Sequence, residues 1–251
     1  MIDLVNLHKS FGDLHVLRGV TFSVRKGETH VVLGRSGTGK SVSLKCIVGL
    51  LDPDEGAVLA EGVEVAQMDQ TTLEAWRSRV GFLFQGGALY DSMSVLENMV
   101  FPLRSRKDLS EEDKTDLAHE KLRWVGLEGA VDKNPSDLSG GMRKRCALAR
   151  TLMTEPEVIL YDEPTTGLDP VTSNEISQLI ARLKDERGVT GIVVTHDMPC
   201  ARLVADSVTF LHRGSVLVSG TWDTIRSCDK PLVQFFMASE FTREPLDIGE
   251  E

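Results

Sequence analysis

Glu28-Thr29-His30-Val31-Val32-Leu33-Gly34-Arg35-Ser36-Gly37-Thr38-Gly39-Lys40-Ser41 is an apolar run that breaks into a glycine-rich octapeptide. The octapeptide Gly34-Arg35-Ser36-Gly37-Thr38-Gly39-Lys40-Ser41 fits G-x-x-x-x-G-K-[ST]. In such a loop backbone N–H groups cradle phosphates, the lysine reaches the β/γ oxygens and the hydroxyl meets Mg²⁺. Alone, the match means phosphate binding and no more. Its flanks add the rest: residues 28–33 read as a buried strand and residues 40–50 as a helix. The loop therefore sits at a strand-to-helix corner, where bare N–H groups and the positive end of a helix dipole favour an anion.

Working outward, Val158-Ile159-Leu160-Tyr161-Asp162 is a second buried strand, and it ends in a carboxylate. That is a place from which a sheet holds an acid against nucleotide-bound Mg²⁺. Glu163 comes one position later and so points elsewhere, toward the terminal phosphate, where it orients or deprotonates an attacking water. The plainer reading of Asp-Glu after an apolar run is the start of a solvated loop. Leu138-Ser139-Gly140-Gly141-Met142 sets small residues at a helix start with Ser139 as N-cap, a second anion site, although Ser-Gly-Gly is common in loops. His196 follows the apolar run 192–194 within Thr195-His196-Asp197, at the carboxyl end of a strand, where open α/β sheets bind ligands.

Around these segments, apolar alternation at residues 2–7 and 20–24, with turns at Gly12-Asp13 and Lys26-Gly27, predicts antiparallel strands at the N-terminus. A further β stretch falls at 57–65, punctuated by Pro53, Gly56 and Gly62. From 93 to 153 the pattern turns helical. Ser94-x-x-Glu97 fits a capping box with Pro102 ending its helix, and Ser110 opens another that Gly126 stops. Strand-helix alternation resumes at 158, with a helix through Ile176, Leu179, Ile180 and Leu183 stopped by Gly188, a strand at 191–195, and a closing hairpin through Arg213-Gly214. The fold class is α/β: a mainly parallel central sheet covered on both faces, an N-terminal antiparallel β subdomain, and an inserted helical subdomain at about 88–153. Residues 1–228 make one domain; 229–251 form a short helix, with Phe235 and Phe236 docking on a partner or covering the domain's own β surface, and an acidic tail whose residues 240–251 are expected to be disordered.

Composition excludes several classes. A formal charge of −10 over 251 residues argues against a nucleic-acid partner. Arg143-Lys144-Arg145 reads as a solvated helix face or as cations near bound nucleotide. Cys46, Cys146, Cys200 and Cys228 are scattered, which predicts reduced thiols and no zinc site. The opening residues lack a signal peptide, and no segment approaches the ~18 apolar residues of a membrane span.

In their order and spacing, the phosphate loop, Gln85, Leu138-Ser139-Gly140-Gly141-Met142, Asp162-Glu163, Gly167-Leu168-Asp169 and His196 resemble an ABC transporter ATPase subunit, over residues 1–222. The resemblance implies a P-loop NTPase that hydrolyses ATP as a head-to-tail pair. Each ATP would lie between Lys40 and Ser41 of one copy and Ser139, Gly140 and Gly141 of the second. It further implies Gln85 on Mg²⁺ and the attacking water, Glu163 as base, His196 on the γ-phosphate, Asp169 bridging the interface, and Phe11 stacking on adenine, where a lone Phe is otherwise core. Ser41, Gln85 and Asp162 would be the metal ligands. Met142 departs from the usual Gln of that signature.

The segment from Gln85 to Leu103 resembles that of the Mla/Mce-type branch, which implies lipid movement between inner and outer membranes. The implied partners are an integral membrane permease and an Mce-domain lipid-binding protein, with the chain held peripherally on the cytoplasmic face of the inner membrane. The same catalytic residues would equally serve an importer of a small polar solute. A soluble mechanoenzyme of DNA repair or translation would carry coiled-coil insertions or fused cassettes, which this chain lacks.

Overall fold

The computed structural model describes residues 1–238. Apolar alternation folds β1 (Ile2–Phe11) and β2 (Leu14–Val24) antiparallel, with Ile2 opposite Val24 and Phe11 opposite Leu14. β1 also pairs antiparallel with β4 (Glu55–Ala60), and β4 with the short β5 (Val63–Glu64), giving the order β2-β1-β4-β5. This sheet is the expected antiparallel N-terminal unit.

The second sheet contains β3 (Thr29–Leu33), β6 (Val80–Leu83), β7 (Val158–Asp162), β8 (Thr190–Thr195), β9 (Ser207–His212) and β10 (Ser215–Gly220), in the order β10-β9-β3-β8-β7-β6. Every neighbouring pair is parallel except the β9–β10 hairpin. Its central strands β3, β7 and β8 are buried at every position because both faces are covered. Val31, Leu33, Ile159, Tyr161 and Val193 face one core; Val32, Leu160, Ile192 and Val194 face the other, which they share with the antiparallel sheet.

Helices fill both faces. α1 (Lys40–Ile47) follows the glycine-rich loop and α2 (Gln70–Ser78) leads into β6. α3 (Val95–Val100), α4 (Glu111–Trp124) and α5 (Gly140–Leu152) form the helical insertion. α6 (Pro170–Arg187) and α7 (Met198–Val204) cover the sheet, and α8 (Trp222–Arg226) and α9 (Pro231–Ala238) close the described chain. Ser94 and Ser110 each complete a reciprocal capping box, with Glu97 and Asp113. Such a cap contributes about 1 kcal/mol. Gly188 ends α6 in the left-handed region that a Cβ would strain.

Three details differ from expectation. α1 stops at Ile47 instead of running to 50, because Gly49 turns left-handed and its space is taken by Leu73 and Val65. α2 and β6 have little apolar pattern: Asp69 caps α2 but Trp76 is its one buried residue, and β6 is four residues long and interrupted by Gly81. The cations at 143–145 are a solvated face only in part, with Arg143 exposed, Arg145 half-buried and Lys144 turned inward. Arg143 donates to Leu138 O, Arg145 to Val125 O, and Lys144 is buried.

α9 covers the chain's own sheet. Val233 is fully buried, and Phe236 meets Phe210 of β9 edge-on, with ring centroids 5.0 Å apart. The expectation for residues 240–251 lies outside the described residues.

Candidate active site

β3, β8, β7 and β6 are consecutive in the sheet and parallel, so their carboxyl ends share one edge. β3 delivers the glycine-rich loop, β8 delivers His196, β7 delivers Asp162 and Glu163, and β6 leads to Gln85. Residues more than 100 positions apart in sequence therefore meet at one rim, the usual ligand side of such sheets.

The loop closes on itself through Lys40. Its ammonium donates to Gly34 O at 2.8 Å and Arg35 O at 3.1 Å and pairs with Glu163 Oε1 at 3.1 Å. Three acceptors match the three donors of an ammonium that is only 5% exposed. Gly39 permits this winding: at φ +96°, a Cβ there would stand 2.6 Å from Leu17 Cδ2 and 2.8 Å from Val16 O. β2 thus lies hard against the loop, which sets the antiparallel sheet beside the phosphate cradle.

Ser41 Oγ donates to Asp162 Oδ1 at 2.6 Å. Two hard oxygen donors placed side by side fit Mg²⁺, which is commonly bound through one or two carboxylates and completes its shell with neutral oxygens, phosphate and water. Among the described residues no group of three or more His, Cys, Asp or Glu forms a closed metal cage.

Glu163 leaves the strand with φ +48°, a left-handed conformation that costs a non-glycine residue about 1 kcal/mol. Its N–H donates to Val194 O at 2.9 Å, which holds the turn. The turn swings its carboxylate away from Asp162 and onto β8. Oε2 accepts from His196 Nδ1 at 2.8 Å, Thr166 Oγ1 at 3.1 Å and Thr195 Oγ1 at 3.4 Å, while Oε1 faces Lys40. Opposite a carboxylate, Nδ1 of His196 carries the proton. Two hydrogen-bonded groups, Ser41–Asp162 and Lys40–Glu163–His196, thus lie side by side, joined by the Lys40–Ser41 and Asp162–Glu163 steps of the chain.

Gln85 joins only through its backbone. Its carbonyl accepts from Lys144 Nζ, which also donates to Glu163 O at 3.2 Å. Phe11 is 47% exposed at the β1–β2 turn, so it is not core. Ser139 caps α5, its Oγ accepting from Met142 N at 3.2 Å. The N–H groups of Gly140 and Gly141 then stand at the first two helical positions, where no intrahelical acceptor exists. Met142 packs partly buried on the large core, a use that suits a thioether.

Asp169 caps α6: Oδ1 accepts from Val171 N and Thr172 N, and Oδ2 from Thr172 Oγ1 at 2.6 Å. These bonds hold its carboxyl below the usual range. Among the described residues, Phe11, Ser139, Gly140, Gly141 and Asp169 make no hydrogen bond to the Lys40–Glu163 cluster.

A cavity of about 730 Å³ opens over Arg35, Ser36, Gly37 and Thr38, with His196, His212, Arg213 and Phe236 on its walls. Partial burial lowers the imidazole pKa of His212, helped by the charges of Arg213 and Arg35. Such a lining suits a polyanion. In the sequence Arg213-Gly214 signals only a hairpin turn, Thr166 has no signal, Thr195 only marks the strand end before His196, and Lys144 is one of three cations on a solvated face or near nucleotide. Their spacing carries no motif.

A family model described as ABC transporter matches residues 17–166. The chain is 41% identical, over 94% of its length, to "Probable ribonucleotide transport ATP-binding protein mkl" of Mycobacterium leprae, and spans 68% of that protein. It is 37% identical over 94% of its length, and 89% of the relative's, to "Intermembrane phospholipid transport system ATP-binding protein MlaF" of Haemophilus influenzae. Among solved structures, a dimeric ATP-binding cassette in a post-hydrolysis state with ADP and Pi superposes with a TM-score of 0.81 at 34% identity, over 88% of this chain and 98% of that one.

Proposed function

The chain belongs to the ABC transporter family, and from that premise we propose that it is the ATP-hydrolysing subunit of a system that moves phospholipid between two membranes. The observation that carries the chemical half is the cluster at the sheet edge, in which a phosphate-loop lysine, a hydroxyl–carboxylate pair and a Glu–His pair sit within hydrogen-bond reach. The similarity to an intermembrane phospholipid transport ATP-binding protein along nearly the whole of both chains supports the lipid half.

In this reading Gly34, Arg35, Ser36, Gly37, Thr38 and Gly39 wrap the triphosphate with backbone N–H groups, and Lys40 neutralises its β and γ oxygens. Ser41, Asp162 and Gln85 hold Mg²⁺, which neutralises charge on the transferring phosphoryl group when bound. Glu163 takes the proton of the attacking water. His196, fixed by Glu163, contacts the γ-phosphate, and Phe11 stacks on adenine. The N–H groups after Ser139, which make no hydrogen bond to the Lys40–Glu163 cluster, serve the nucleotide of a second copy, with Asp169 at that interface. Residues 1–228 act as the ATPase domain, and residues 229–251 as its appendage.

No helix among the described residues is long and apolar enough to cross a membrane, and in this reading a permease partner carries the transport path. A groove of about 420 Å³ beside α3 and α4, lined by Met93, Leu96, Val100, Phe101 and Arg104, suits docking of a permease segment. Tyr90, 44% exposed and packed on Phe101, extends that surface. The subunit then sits on the cytoplasmic face of the inner membrane, with an Mce-domain protein completing the path.

Solubilised from native membranes, the chain should co-purify with a permease, an Mce-domain protein and bound phospholipid, read by mass spectrometry of protein and lipid. Recovery with a receptor for a polar solute, such as a nucleotide, overturns the lipid reading.

A further inference from the structure

Lys144 stands just over one helical turn into α5, past the Ser139-Gly140-Gly141 turn, and it is 6% exposed. A lysine on a helix ordinarily extends its ammonium to water, and burying that charge is expensive unless its donors are met. Here they meet two main-chain oxygens: the carbonyl of Gln85 and, at 3.2 Å, the carbonyl of Glu163. Desolvation lowers the ammonium's pKa, while the charges of Asp162 and Glu163 oppose that shift. A methionine of similar reach would fill the space without desolvating a cation. The contact therefore does something that packing alone does not require.

Its placement says what. Gln85 and Glu163 follow neighbouring parallel strands, with Leu83 paired to Tyr161, and both serve the chain's own phosphate loop. The glycine turn that begins α5 belongs, on the reading above, to the nucleotide of the partner copy. Lys144 is a short, charge-assisted link between the two. We propose that Lys144 is a positioning residue that fixes the Gln85 and Glu163 backbones to the helix carrying Ser139-Gly140-Gly141, so that engagement of that turn by one nucleotide sets the water-activating groups at the other. This rests on the shared-site reading.

In the full chain, Lys144→Met is expected to lower kcat for ATP hydrolysis about 10- to 100-fold, the scale of a small misplacement of reacting groups. The Kd for ATP, read by nucleotide titration, should stay within about two-fold because the phosphate loop is untouched. Lys144→Arg, which keeps a cation and donors, should recover most of the rate. Where Lys144→Met does not fold, Lys144→Gln is measured in the same way. A kcat within about two-fold of wild type, a parallel loss of ATP binding, or failure of the Arg variant to rescue overturns the proposal. The shared-site reading fails separately, if Glu163→Gln with saturating ATP stays monomeric by light scattering.

Discussion

Glu163 meets two demands through one unusual torsion. A residue continuing β7 would project to the sheet face opposite Asp162, but φ +48° turns the carboxylate to β8, where His196, Thr166 and Thr195 hold one oxygen and Lys40 the other. Glu163→Gln keeps the shape and removes the basicity. It should leave ATP affinity within about three-fold while lowering steady-state phosphate release by at least about 10²-fold, the size of a general-base contribution. Full turnover in that assay refutes the role. The ends of β3, β7 and β8 were legible because each polar group follows an apolar run, and a run of that kind in an α/β chain finishes at the ligand edge. Lys144 was not legible. In sequence it is the middle of three cations, and only the approach of α5 to the β6 and β7 ends distinguishes it from its solvated neighbour Arg143. His212 and Arg213 were hidden likewise, because a hairpin turn says nothing of what it overhangs.

Among the elements, α5 and α6 show why Gly141 is glycine for a reason beyond its bare N–H. A Cβ at that position would lie 2.3 Å from Thr172 Cγ2, and Thr172 Oγ1 is the donor that completes the Asp169 cap of α6. Gly141→Ala should therefore push Thr172 out and cost about 1–3 kcal/mol, the usual range for overpacking. Adding Thr172→Ser removes the clashing methyl and keeps the hydroxyl, so urea unfolding of the double variant should recover most of the loss; additive effects would refute the contact. Helices with caps and stop signals, α3, α4 and α6, were readable from those residues alone. α2 and β6 were not: one buries a single residue, and the other is held in the sheet by pairing with β7 more than by its own pattern.

The whole molecule carries its chemistry on one edge of the parallel sheet and a titratable weakness in the middle. His30 in β3 is buried against Phe22, with its ring nitrogens on Ser207 Oγ at 2.6 Å and Thr209 Oγ1 at 3.1 Å. Burial lowers its pKa from 6.5 to about 4, opposed by the charge of Glu28. The folded protein thus holds the neutral ring, and the unfolded chain takes up the proton first. Stability is complete above pH 6.5 and falls as pH drops toward 4, by about 2 kcal/mol at pH 5 for this group. Urea midpoints at pH 7.5 and 5 should show a larger drop for wild type than for His30→Gln; equal drops would assign the loss elsewhere. Both sheets share the core on that side, so the two should lose structure together. α9 has a practical side. Phe236 forms part of the wall over the glycine-rich loop, and Ala238 comes two residues later. A fluorophore carried at position 236 would therefore sit in that wall, and its emission would report what enters the cavity.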